Sequence, residues 1–390
     1  MIWRESSPTS KRSTRTFAIA ALAAVAVVGT TAFAAGAPAA NKGKKVVKAA
    51  PPKQTIKKSM WGSPVMHDGR SIFPILKDLG VGLYSIQVRW EMIAPTVKPV
   101  NPTDPNDPAY QWPQYLTDAV NEATANGMKV QLLIMGTPPW ANGGREWFWI
   151  PNQVSDWSDF VTAVTRKYPV ANHYMIWGEP NRAPNFQPST PATRHTGKLN
   201  KAQAVAPRNY AILLDAAYAA IKAADPKDKV IGGNTYTAAG KDDINTYQWA
   251  RYMKLPGGKR PRMDLWGHNP WGFTLPNFKA PPGRRGTVTF NDLQRLVKVL
   301  DQTFKGKKLK LFLAEWGVPS GFKDKDLGYG LSLKKANQWI NTAFRLTRTY
   351  KRIYSLGWVH LLDNDRNSTG LLTQDGAIKP TYKTYRKAKP

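Results

Sequence analysis

Short apolar segments alternate with longer amphipathic segments along the chain from Met60 onward. Runs of β-branched and other apolar residues that are bounded by turn signals predict buried strands. Eight such runs occur, at residues 60–61, 82–88, 129–135, 173–177, 229–232, 263–267, 309–314 and 353–359. Apolar residues at three- and four-residue spacing predict helices between them. These helical segments lie at residues 72–79, 112–126, 154–168, 207–224, 244–253, 290–304, 333–349 and 380–386.

The regular alternation of strands and helices indicates the α/β class. Eight strand–helix pairs exceed what an ordinary doubly wound sheet needs, so we predict a closed (β/α)8 TIM barrel. No repeat or second domain is visible, and one catalytic domain is expected over residues 59–390. Long loops rich in Gly or Pro follow the second, fourth and sixth strands, at residues 95–108, 182–206 and 273–286. Such loops open on the C-terminal face of a barrel, where active sites lie.

Residues 1–40 have the features of an export signal. Basic residues precede an apolar run at residues 17–28, and small-residue cleavage sites follow at 32–34 and 37–39. We therefore predict a signal peptide over residues 1–40 and a secreted, extracellular location for a bacterial exported protein. An uncleaved membrane anchor is the alternative. Gly29, Thr30 and Thr31 interrupt the apolar run, which makes it marginal for spanning ~30 Å of hydrocarbon.

The chain is strongly basic, with a formal net charge of +30. Seven lysines and no acidic residue lie in residues 41–58, which we interpret as a basic Lys-rich linker. Such a segment can adhere without sequence specificity to anionic cell-wall polymers, and a solvated tail is equally consistent with the pattern. Specific nucleic-acid binding is not expected, because the densest run of lysines lies outside the predicted fold.

The chain contains no cysteine, which excludes disulfides, thiolate metal sites and a cysteine nucleophile. It also lacks an H-E-x-x-H motif and a cluster of His and Asp residues, so we expect no metal and no other cofactor. The candidate chemistry therefore depends on carboxylates, amides and aromatic rings.

Two glutamates lie directly at the ends of predicted buried strands. Glu179 ends the fourth strand in YMIWGEPN, and Glu315 ends the seventh in LKLFLAEWG. Side chains at these positions of a barrel point into the catalytic mouth. Glycoside cleavage uses two carboxyl groups, one with a raised pKa that protonates the leaving oxygen and one that is ionised. A gap of ~5–5.5 Å gives retention and wider gaps give inversion. The alternative is that each Glu pairs with a nearby Arg in a structural role.

These motifs, in this order and spacing, make the chain resemble the clan-A glycoside hydrolases, especially the cellulase-like families five and thirty-nine. WGEPN is similar to the acid/base motif of these families, and AEWG is similar to their nucleophile motif. Residues 207–226 and 370–386 also fit the family pattern. The resemblance implies a retaining β-glycoside hydrolase that cleaves O-glycosidic bonds of a polysaccharide or oligosaccharide by double displacement. It further implies Glu179 as acid/base, Glu315 as nucleophile and Asn181 as a substrate contact.

Three positions depart from the family pattern. Gly178 stands where the family has an Asn that contacts the sugar 2-hydroxyl, and Ser85 stands where its second strand has an Arg. Arg89 lies on the same strand face as Ser85 but nearer the strand end. An indole N–H donates one hydrogen bond but cannot act as a phenol does. This matters at the end of the sixth strand, where the family has a His-Pro-Tyr element. The chain reads HNPWG there, so Asn269 and Trp271 stand in the places of the His and the Tyr, with His268 just before them.

Aromatic residues on the predicted loops can stack on pyranose rings. The resemblance identifies Trp358 with the strand-eight Trp that forms the floor under the sugar, and core packing is the alternative interpretation. His360 and Asp363 follow it and are interpreted as a core and a structural residue. The predicted substrate-binding residues lie at strand ends and on loops: Trp358, Trp316, Trp271, Asn269, His268, Trp140, Asn181 and Arg89, with Trp147 and Trp149 nearby.

Two other functions compete with a glycosidase. A barrel that binds glycans without cutting them fits the departures at Gly178, Ser85 and Trp271, and a basic surface-adhesion protein fits the charge. A pure binder does not need two converging carboxylates, which favours the enzyme. Basic residues on the loops after strands four and six further predict an acidic substrate, with a solvated basic surface as the alternative; they are Arg182, Arg194, Lys198, Lys201, Lys279, Arg284 and Arg285.

Overall fold

The computed structural model describes residues 52–192, 197–237 and 240–390. Its strands are β1 Thr55–Trp61, β2 Val81–Arg89, β3 Lys129–Met135, β4 His173–Ile176, β5 Lys229–Tyr236, β6 Leu265–Asn269, β7 Lys310–Trp316 and β8 Ile353–Trp358. Each strand pairs with the next one along the chain in parallel, and β8 pairs with β1 to close the barrel. This topology confirms the predicted (β/α)8 TIM barrel.

Helices alternate with the strands. The α-helices among the described residues are α1 Phe73–Asp78, α2 Trp90–Ile93, α3 Gln114–Ala125, α4 Pro139–Asn142, α5 Val154–Lys167, α6 Val205–Ala224, α7 Thr246–Tyr252, α8 Leu293–Thr303, α9 Leu333–Thr349 and α10 Pro380–Lys387. Their apolar residues recur at three- and four-residue spacing and form the buried face; in α8 these include Leu293, Leu296, Val297 and Leu300. Burying one such side chain contributes ~1.5–3 kcal/mol relative to leaving it exposed.

The predicted and observed elements agree in order and nearly in position. The bounds of β3 and α9 are the predicted ones. β5 is longer than predicted, because it continues to Tyr236 where the sequence pattern ended at residue 232. A register shift separates the two parts of its pairing with β6, and the second part joins Thr235 to His268 and Tyr236 to Asn269. This extension carries polar residues of β5 to the barrel rim.

The first strand begins earlier than predicted. β1 starts at Thr55, so residues 55–58 of the segment interpreted as a linker lie in the barrel wall. Lys58 is buried, and its ammonium group donates to the carbonyl oxygens of Leu79 at 3.0 Å and Tyr385 at 2.7 Å. It also lies 4.7 Å from the centre of the Tyr385 ring. The charge pattern alone could not reveal these acceptors, which make a buried lysine acceptable in a strand.

Several predictions fall on residues that the structure leaves undescribed. The signal peptide, residues 41–51 of the linker and Arg194 all lie outside the described residues. Within the described residues, no helix has both the length and the apolar character that crossing a bilayer requires.

Closure of the barrel gathers the strand ends at one rim. Because all the strands are parallel, their C-terminal ends lie at the same end of the barrel. β7 and β8 approach so closely that a Cβ on Gly357 would overlap the carbonyl group of Ala314, so only glycine fits there. This rim carries both predicted catalytic glutamates, Glu315 within β7 and Glu179 just after β4.

Candidate active site

Glu179 lies on a strained turn directly after β4. Trp177 and Glu179 have φ angles of 64° and 46°, in the left-handed region that non-glycine residues seldom adopt. Asn234 of β5 holds this turn: its carbonyl accepts from the Glu179 N–H at 3.1 Å, and its amide donates to the Trp177 carbonyl at 3.2 Å. The Trp177 indole donates to the Asn185 carbonyl at 2.7 Å. Such strain costs ~1–3 kcal/mol per residue and persists because these contacts fix the turn that aims Glu179.

The Glu179 carboxylate is surrounded by donors from two elements. Asn269, the last residue of β6, donates its amide N–H to Oε1 at 2.9 Å. Arg182 and Asn185, from the loop after β4, donate to Oε2 at 3.1 Å and 3.4 Å. The carboxylate itself is buried, so these charge-assisted hydrogen bonds form away from bulk water, where they are stronger than at the surface.

Glu315 lies on β7 between the buried residues Ala314 and Trp316. Burial raises the pKa of Glu315 to about 8, and the negative charge of Glu179 adds to this effect. Arg182 and a hydrogen bond from Asn269 act in the opposite direction. Because Glu179, Arg182 and Asn269 all act on Glu315, the two carboxyl groups belong to one site.

Asn269 acts on both carboxyl groups. Its amide nitrogen donates to Oε1 of Glu179 at 2.9 Å, and the same side chain acts to lower the pKa of Glu315. One side chain at the end of β6 therefore influences both glutamates.

The two carboxyl groups have different surroundings. Burial acts to raise the pKa of Glu179, and Arg182 and the hydrogen bond from Asn269 act to lower it. The pKa of Glu315 is raised by burial and by the negative charge of Glu179. The hydrogen bond from Arg182 to Glu179 stabilises the ionised form of Glu179, which a double displacement with Glu179 as acid needs only in its second step.

Asn181, a predicted substrate contact, connects two loops of the rim. Its carbonyl oxygen Oδ1 accepts from the Tyr236 N–H at 2.7 Å, and its amide donates to the carbonyl oxygens of Ile244 at 3.0 Å and Tyr236 at 3.3 Å. The side chain is fully buried. It therefore holds the loop after β4 against the loop after β5, and a direct sugar contact stays a prediction.

Arg89, the last residue of β2, is clamped between an acidic and an aromatic side chain. Its Nε donates to Oε1 of Glu91 at 2.6 Å, and its guanidinium carbon lies 4.3 Å from the centre of the Trp147 ring. Glu91 fits because the neighbouring residue on the loop after β3 is Gly136, where a Cβ would overlap the carboxylate. Burial raises the pKa of Glu91 against the opposing effect of Arg89. Arg89 is thus held rigidly at the barrel rim.

The loop after β3 carries the remaining aromatic residues singled out in the sequence. Trp140 is partly buried, donates its indole N–H to the Ala94 carbonyl at 2.8 Å and packs edge-on against Trp90. Trp149 lies under the Arg145 guanidinium at 4.5 Å from its ring centre. This loop therefore presents arginine–tryptophan pairs at the rim, a combination that suits polar, flat ligands such as sugars.

Trp358 and Trp316 lie side by side at the ends of β8 and β7. Their ring centres are 5.7 Å apart with the planes nearly perpendicular, and both side chains are buried. Trp358 also packs edge-on against Tyr385 and donates its indole N–H to the Thr369 carbonyl at 2.9 Å. These contacts are those of a core residue, while the predicted role of Trp358 as a sugar floor stays a prediction.

His268 and Trp271 support the loop after β6. His268 donates from Nε2 to the Val288 carbonyl at 2.7 Å, and its Nδ1 lies 3.0 Å from the hydroxyl of Thr235. Burial lowers the pKa of His268 to about 4, so that its ring is neutral. Trp271 is buried and its carbonyl accepts from the Thr237 hydroxyl at 2.9 Å. The described residues contain no group of three His, Asp or Glu side chains placed to hold a metal ion.

The departures at Gly178 and Ser85 have distinct surroundings. A Cβ on Gly178 would make ordinary contacts of 3.4 Å with Met135 and 3.6 Å with Leu133, so an apolar wall faces the position. Ser85 pairs in register with Gln131 of β3 inside the barrel. Its hydroxyl and the Gln131 amide are buried without hydrogen-bond partners among the described residues. Neither position supplies a polar group equivalent to the family residue.

Sequence reasoning missed part of the network around Glu179. Arg182 was singled out only as a loop charge, and Asn185 and Asp243 were not singled out at all. One signal was available for Arg182, because it follows Glu179 by three residues within the same motif. Asp243 comes from a different loop, and only the fold brings it to Arg182, at 3.5 Å from Nε.

Residues 40–360 match the model of the cellulase family, described as glycosyl hydrolase family 5. This match confirms the resemblance to cellulase-like clan-A glycoside hydrolases that the motifs predicted. No curated protein matches the chain in sequence.

Solved structures of three bacterial enzymes share the fold. A family 39 glycoside hydrolase from Bacteroides cellulosilyticus WH2 has 15% identity and a TM-score of 0.57, covering 87% of this chain and 65% of its own. A glucosidase from Croceicoccus marinus has 14% identity and a TM-score of 0.57, covering 86% and 66%. A monomeric β-xylosidase from Caulobacter crescentus CB15 has 17% identity and a TM-score of 0.55, covering 87% and 68%. The chain thus spans about two thirds of the length of these enzymes or slightly less.

Proposed function

The chain belongs to the cellulase family, glycosyl hydrolase family 5, and we propose that it is a secreted retaining β-glycoside hydrolase. Its substrate is a polysaccharide or oligosaccharide, with Glu179 as acid/base and Glu315 as nucleophile. One observation supports this proposal above the others: Glu179 and Glu315 lie at the C-terminal ends of the parallel strands β4 and β7, and Arg182 and Asn269 act on both carboxyl groups. A covalent intermediate requires a carboxyl separation of ~5–5.5 Å, whereas an inverting enzyme has a wider gap.

The chemistry proceeds in two displacements at one carbon. In the first, ionised Glu315 attacks the anomeric carbon while Glu179 gives its proton to the leaving oxygen, so the glycosidic bond breaks as an ester to Glu315 forms. In the second, Glu179, now a carboxylate, takes a proton from a water molecule whose oxygen attacks the same carbon and releases Glu315. Two inversions restore the β configuration.

The protein's own residues favour particular stages of this cycle. Asn269 and Arg182 stabilise a negative charge on Glu179, which is the state that activates water in the second step. The first step requires the proton on Glu179 and the charge on Glu315. A proton must therefore be present on Glu179 before the first displacement, although the hydrogen bond from Arg182 stabilises the ionised form.

A glycan-binding barrel without catalysis is the second candidate. The hydrogen bond from Arg182 to Glu179 favours it, because that bond weakens the acid step. The apolar surroundings of Gly178 also favour it, because they do not supply the expected contact with the sugar 2-hydroxyl. The two functions differ in whether a bound glycan is cleaved.

The stereochemistry of the first product tests the proposal. The purified protein is incubated with aryl β-glycosides and with plant and microbial polysaccharides, and the anomeric signals of the released sugar are followed by proton NMR before mutarotation. We expect the β anomer to form first. Early formation of the α anomer would contradict retention, and tight binding of a glycan without cleavage would favour the second candidate.

Sequencing the N-terminus of protein recovered from the culture medium tests secretion, with a start near residues 35–40 expected.

A further inference from the structure

Arg182 stands between two acidic side chains that come from different loops. Its Nη1 lies 3.1 Å from Oε2 of Glu179, and its Nε lies 3.5 Å from Oδ1 of Asp243. The Arg182 side chain is 26% exposed, whereas those of Glu179 and Asp243 are 5% and 6% exposed. One partly exposed cation thus lies close to two buried carboxylates.

The backbone fixes the position from which the Arg182 side chain extends. Arg182 and Asp243 form an antiparallel β-bridge between the loop after β4 and the loop after β5. The Ala183 N–H donates to the Asp242 carbonyl at 2.9 Å, and the Arg182 guanidinium carbon lies 4.3 Å from the centre of the Tyr236 ring. The bridge therefore fixes the backbone of Arg182, and its guanidinium packs over the Tyr236 ring.

The two contacts of Arg182 are not equivalent. The contact with Glu179 is a hydrogen bond, while the contact with Asp243 exceeds the usual N–H···O distance and leaves Nε without an acceptor among the described residues. A movement of ~0.5 Å would turn the longer contact into a hydrogen bond. The Asp243 carboxylate is held in place for this bond, because its other oxygen, Oδ2, accepts from the Gly240 N–H at 2.7 Å while Oδ1 faces Arg182.

Other charged and titratable groups face Glu179 from each neighbouring element. The negative charge of Glu179 acts to raise the pKa of four groups, which are Tyr236, His268, Glu315 and Asp243. Burial has the largest effect on each of them: it lowers the pKa of His268 and raises the pKa of the other three. His268 remains neutral because burial dominates. Arg182 lowers the pKa of both catalytic glutamates. Its position therefore affects the whole cluster.

We propose that Arg182 is a positioning residue shared between Glu179 and Asp243, and that its movement onto Asp243 allows Glu179 to take up the proton needed for the acid step. The inference rests on the proposed function of Glu179. The proton comes from solvent, and Glu179 passes it to the leaving oxygen in the first displacement. The guanidinium then returns to the Glu179 carboxylate and stabilises it while it accepts a proton from water.

A direct titration tests this proposal without any need for catalysis. The chain contains six glutamates, so selective ¹³C labelling of the Glu side-chain carboxyl groups gives a simple NMR spectrum. Glu179→Gln and Glu315→Gln assign the two signals. In Arg182→Met, the Glu179 carboxyl should titrate at least one pH unit higher than in the unmodified protein, a tenfold change in proton affinity. In Asp243→Asn, which removes the competing partner, it should titrate lower.

A matched control and a kinetic measurement complete the test. Arg262→Met removes an arginine that pairs with Asp215 at 2.8 Å before β6, and it should leave the Glu179 titration unchanged. The whole pH profile of kcat/KM on a substrate with a poor leaving group should shift to higher pH in Arg182→Met and to lower pH in Asp243→Asn. If one of these variants fails to fold, as judged by its thermal melt, the other still gives a signed result.

Shifts of the Glu179 titration in the same direction in both variants, or no shift in either, would overturn the proposal. Absence of hydrolysis with opposite NMR shifts would contradict the proposed function and leave the Arg182 arrangement standing. Hydrolysis without the opposite shifts would support the proposed function and contradict the proposed role of Arg182. A merely structural role of Arg182 would lower the melting temperature without moving the titration in opposite directions.

Discussion

Asn269 donates its amide N–H to Oε1 of Glu179 at 2.9 Å and so connects the end of β6 to the turn after β4. The same side chain acts to lower the pKa of Glu315, so one neutral amide influences both carboxyl groups. Its own oxygen Oδ1 has no hydrogen-bond partner among the described residues. Asn269 is thus a residue on which the charges of both carboxyl groups depend.

Replacing Asn269 by Ala should lower kcat/KM by roughly 10- to 100-fold, because a hydrogen bond to a charged group contributes ~1.5–3 kcal/mol. Asn269→Asp should be worse, since it adds a third negative charge beside Glu179 and Glu315. The measurement is kcat/KM over a pH series, with the thermal melt as a check on folding. Equal activity of the Ala variant and the unmodified protein would show that the amide does not serve the carboxyl pair.

The two glutamates should respond differently to the leaving group. Glu315→Ala should reduce turnover by at least ~1,000-fold on every substrate, because no ester can form. Glu179→Ala should affect substrates with poor leaving groups far more than activated aryl glycosides, which need little protonation. Added azide should restore turnover of the Glu315 variant on activated substrates. Uniform loss in both variants on all substrates would contradict this assignment of roles.

Trp358 offers a test that separates a core residue from a cleft residue. Its contacts with Trp316, Tyr385 and the Thr369 carbonyl predict that Trp358→Ala lowers the free energy of unfolding by ~3–5 kcal/mol. If the ring also forms the sugar floor, a stacking contribution of ~1–3 kcal/mol should be lost from kcat/KM. Trp358→Phe keeps an aromatic ring but loses the indole N–H. Normal kcat/KM in a strongly destabilised Trp358→Ala protein would assign the residue to the core alone.

Buried histidines should make the fold sensitive to acid. Burial lowers the pKa of His173 to about 3, of His268 to about 4 and of His360 to about 3. Between pH ~6.5 and ~4 the unfolded chain binds protons at these rings and the folded chain does not. Stability is therefore fully present above pH ~6.5 and falls as the pH drops through this window, by up to ~1.4 kcal/mol per pH unit for each histidine.

Denaturant titrations at pH 7, 6, 5 and 4 measure this dependence. His173→Phe should reduce the slope of unfolding free energy against pH by about one proton, whatever its effect on absolute stability. Tyr174→Phe is a matched control on the same strand, because a phenol does not titrate in this range. An unchanged slope in the His173 variant would show that this ring is protonated in the folded state.

Much of the fold was predictable because the apolar periodicity carries it. Strand and helix positions agree within a few residues, and the carboxylates Glu179 and Glu315 were identifiable from their places at the ends of strands. Lys58 illustrates what the pattern cannot show. Its acceptors are the carbonyl oxygens of Leu79 and Tyr385, which are remote in sequence, so the residue looked like part of a solvated linker.

The fine structure of the site was less accessible to sequence reasoning. The direction of Glu179 depends on positive φ angles at Trp177 and Glu179, residue types for which the sequence gives no signal of that conformation. The charge on Glu179 depends on Arg182, whose placement requires the bridge to Asp243 from another loop. Residue types therefore indicated the candidate catalytic groups, and only the tertiary contacts show which charged and polar groups surround them.

The basic loops around the barrel mouth predict a preference for acidic glycans. Among the described residues, Lys198 and Lys201 lie exposed on the loop after β4, and Lys279, Arg284 and Arg285 lie exposed on the loop after β6. Both loops start from the C-terminal ends of strands, so their positive potential acts on a polymer in the cleft. Arginine can bind a sugar carboxylate or sulfate through two parallel hydrogen bonds. The competing interpretation is a solvated basic surface with no effect on substrate choice.

Salt dependence distinguishes these interpretations, because the Debye length is ~8 Å at physiological ionic strength and shortens further as salt is added. Activity on a uronic-acid polymer should fall steeply with salt, while activity on a neutral glycan changes little. The double variant Arg284→Ser/Arg285→Ser should weaken the salt dependence on the acidic polymer. Lys305→Ser/Lys308→Ser removes the same charge from the exposed segment before β7, which enters the barrel at the opposite end, and should leave that dependence unchanged. An equal salt response on both polymers, or equal effects of the two double variants, would show that the loop charges have no effect on substrate choice.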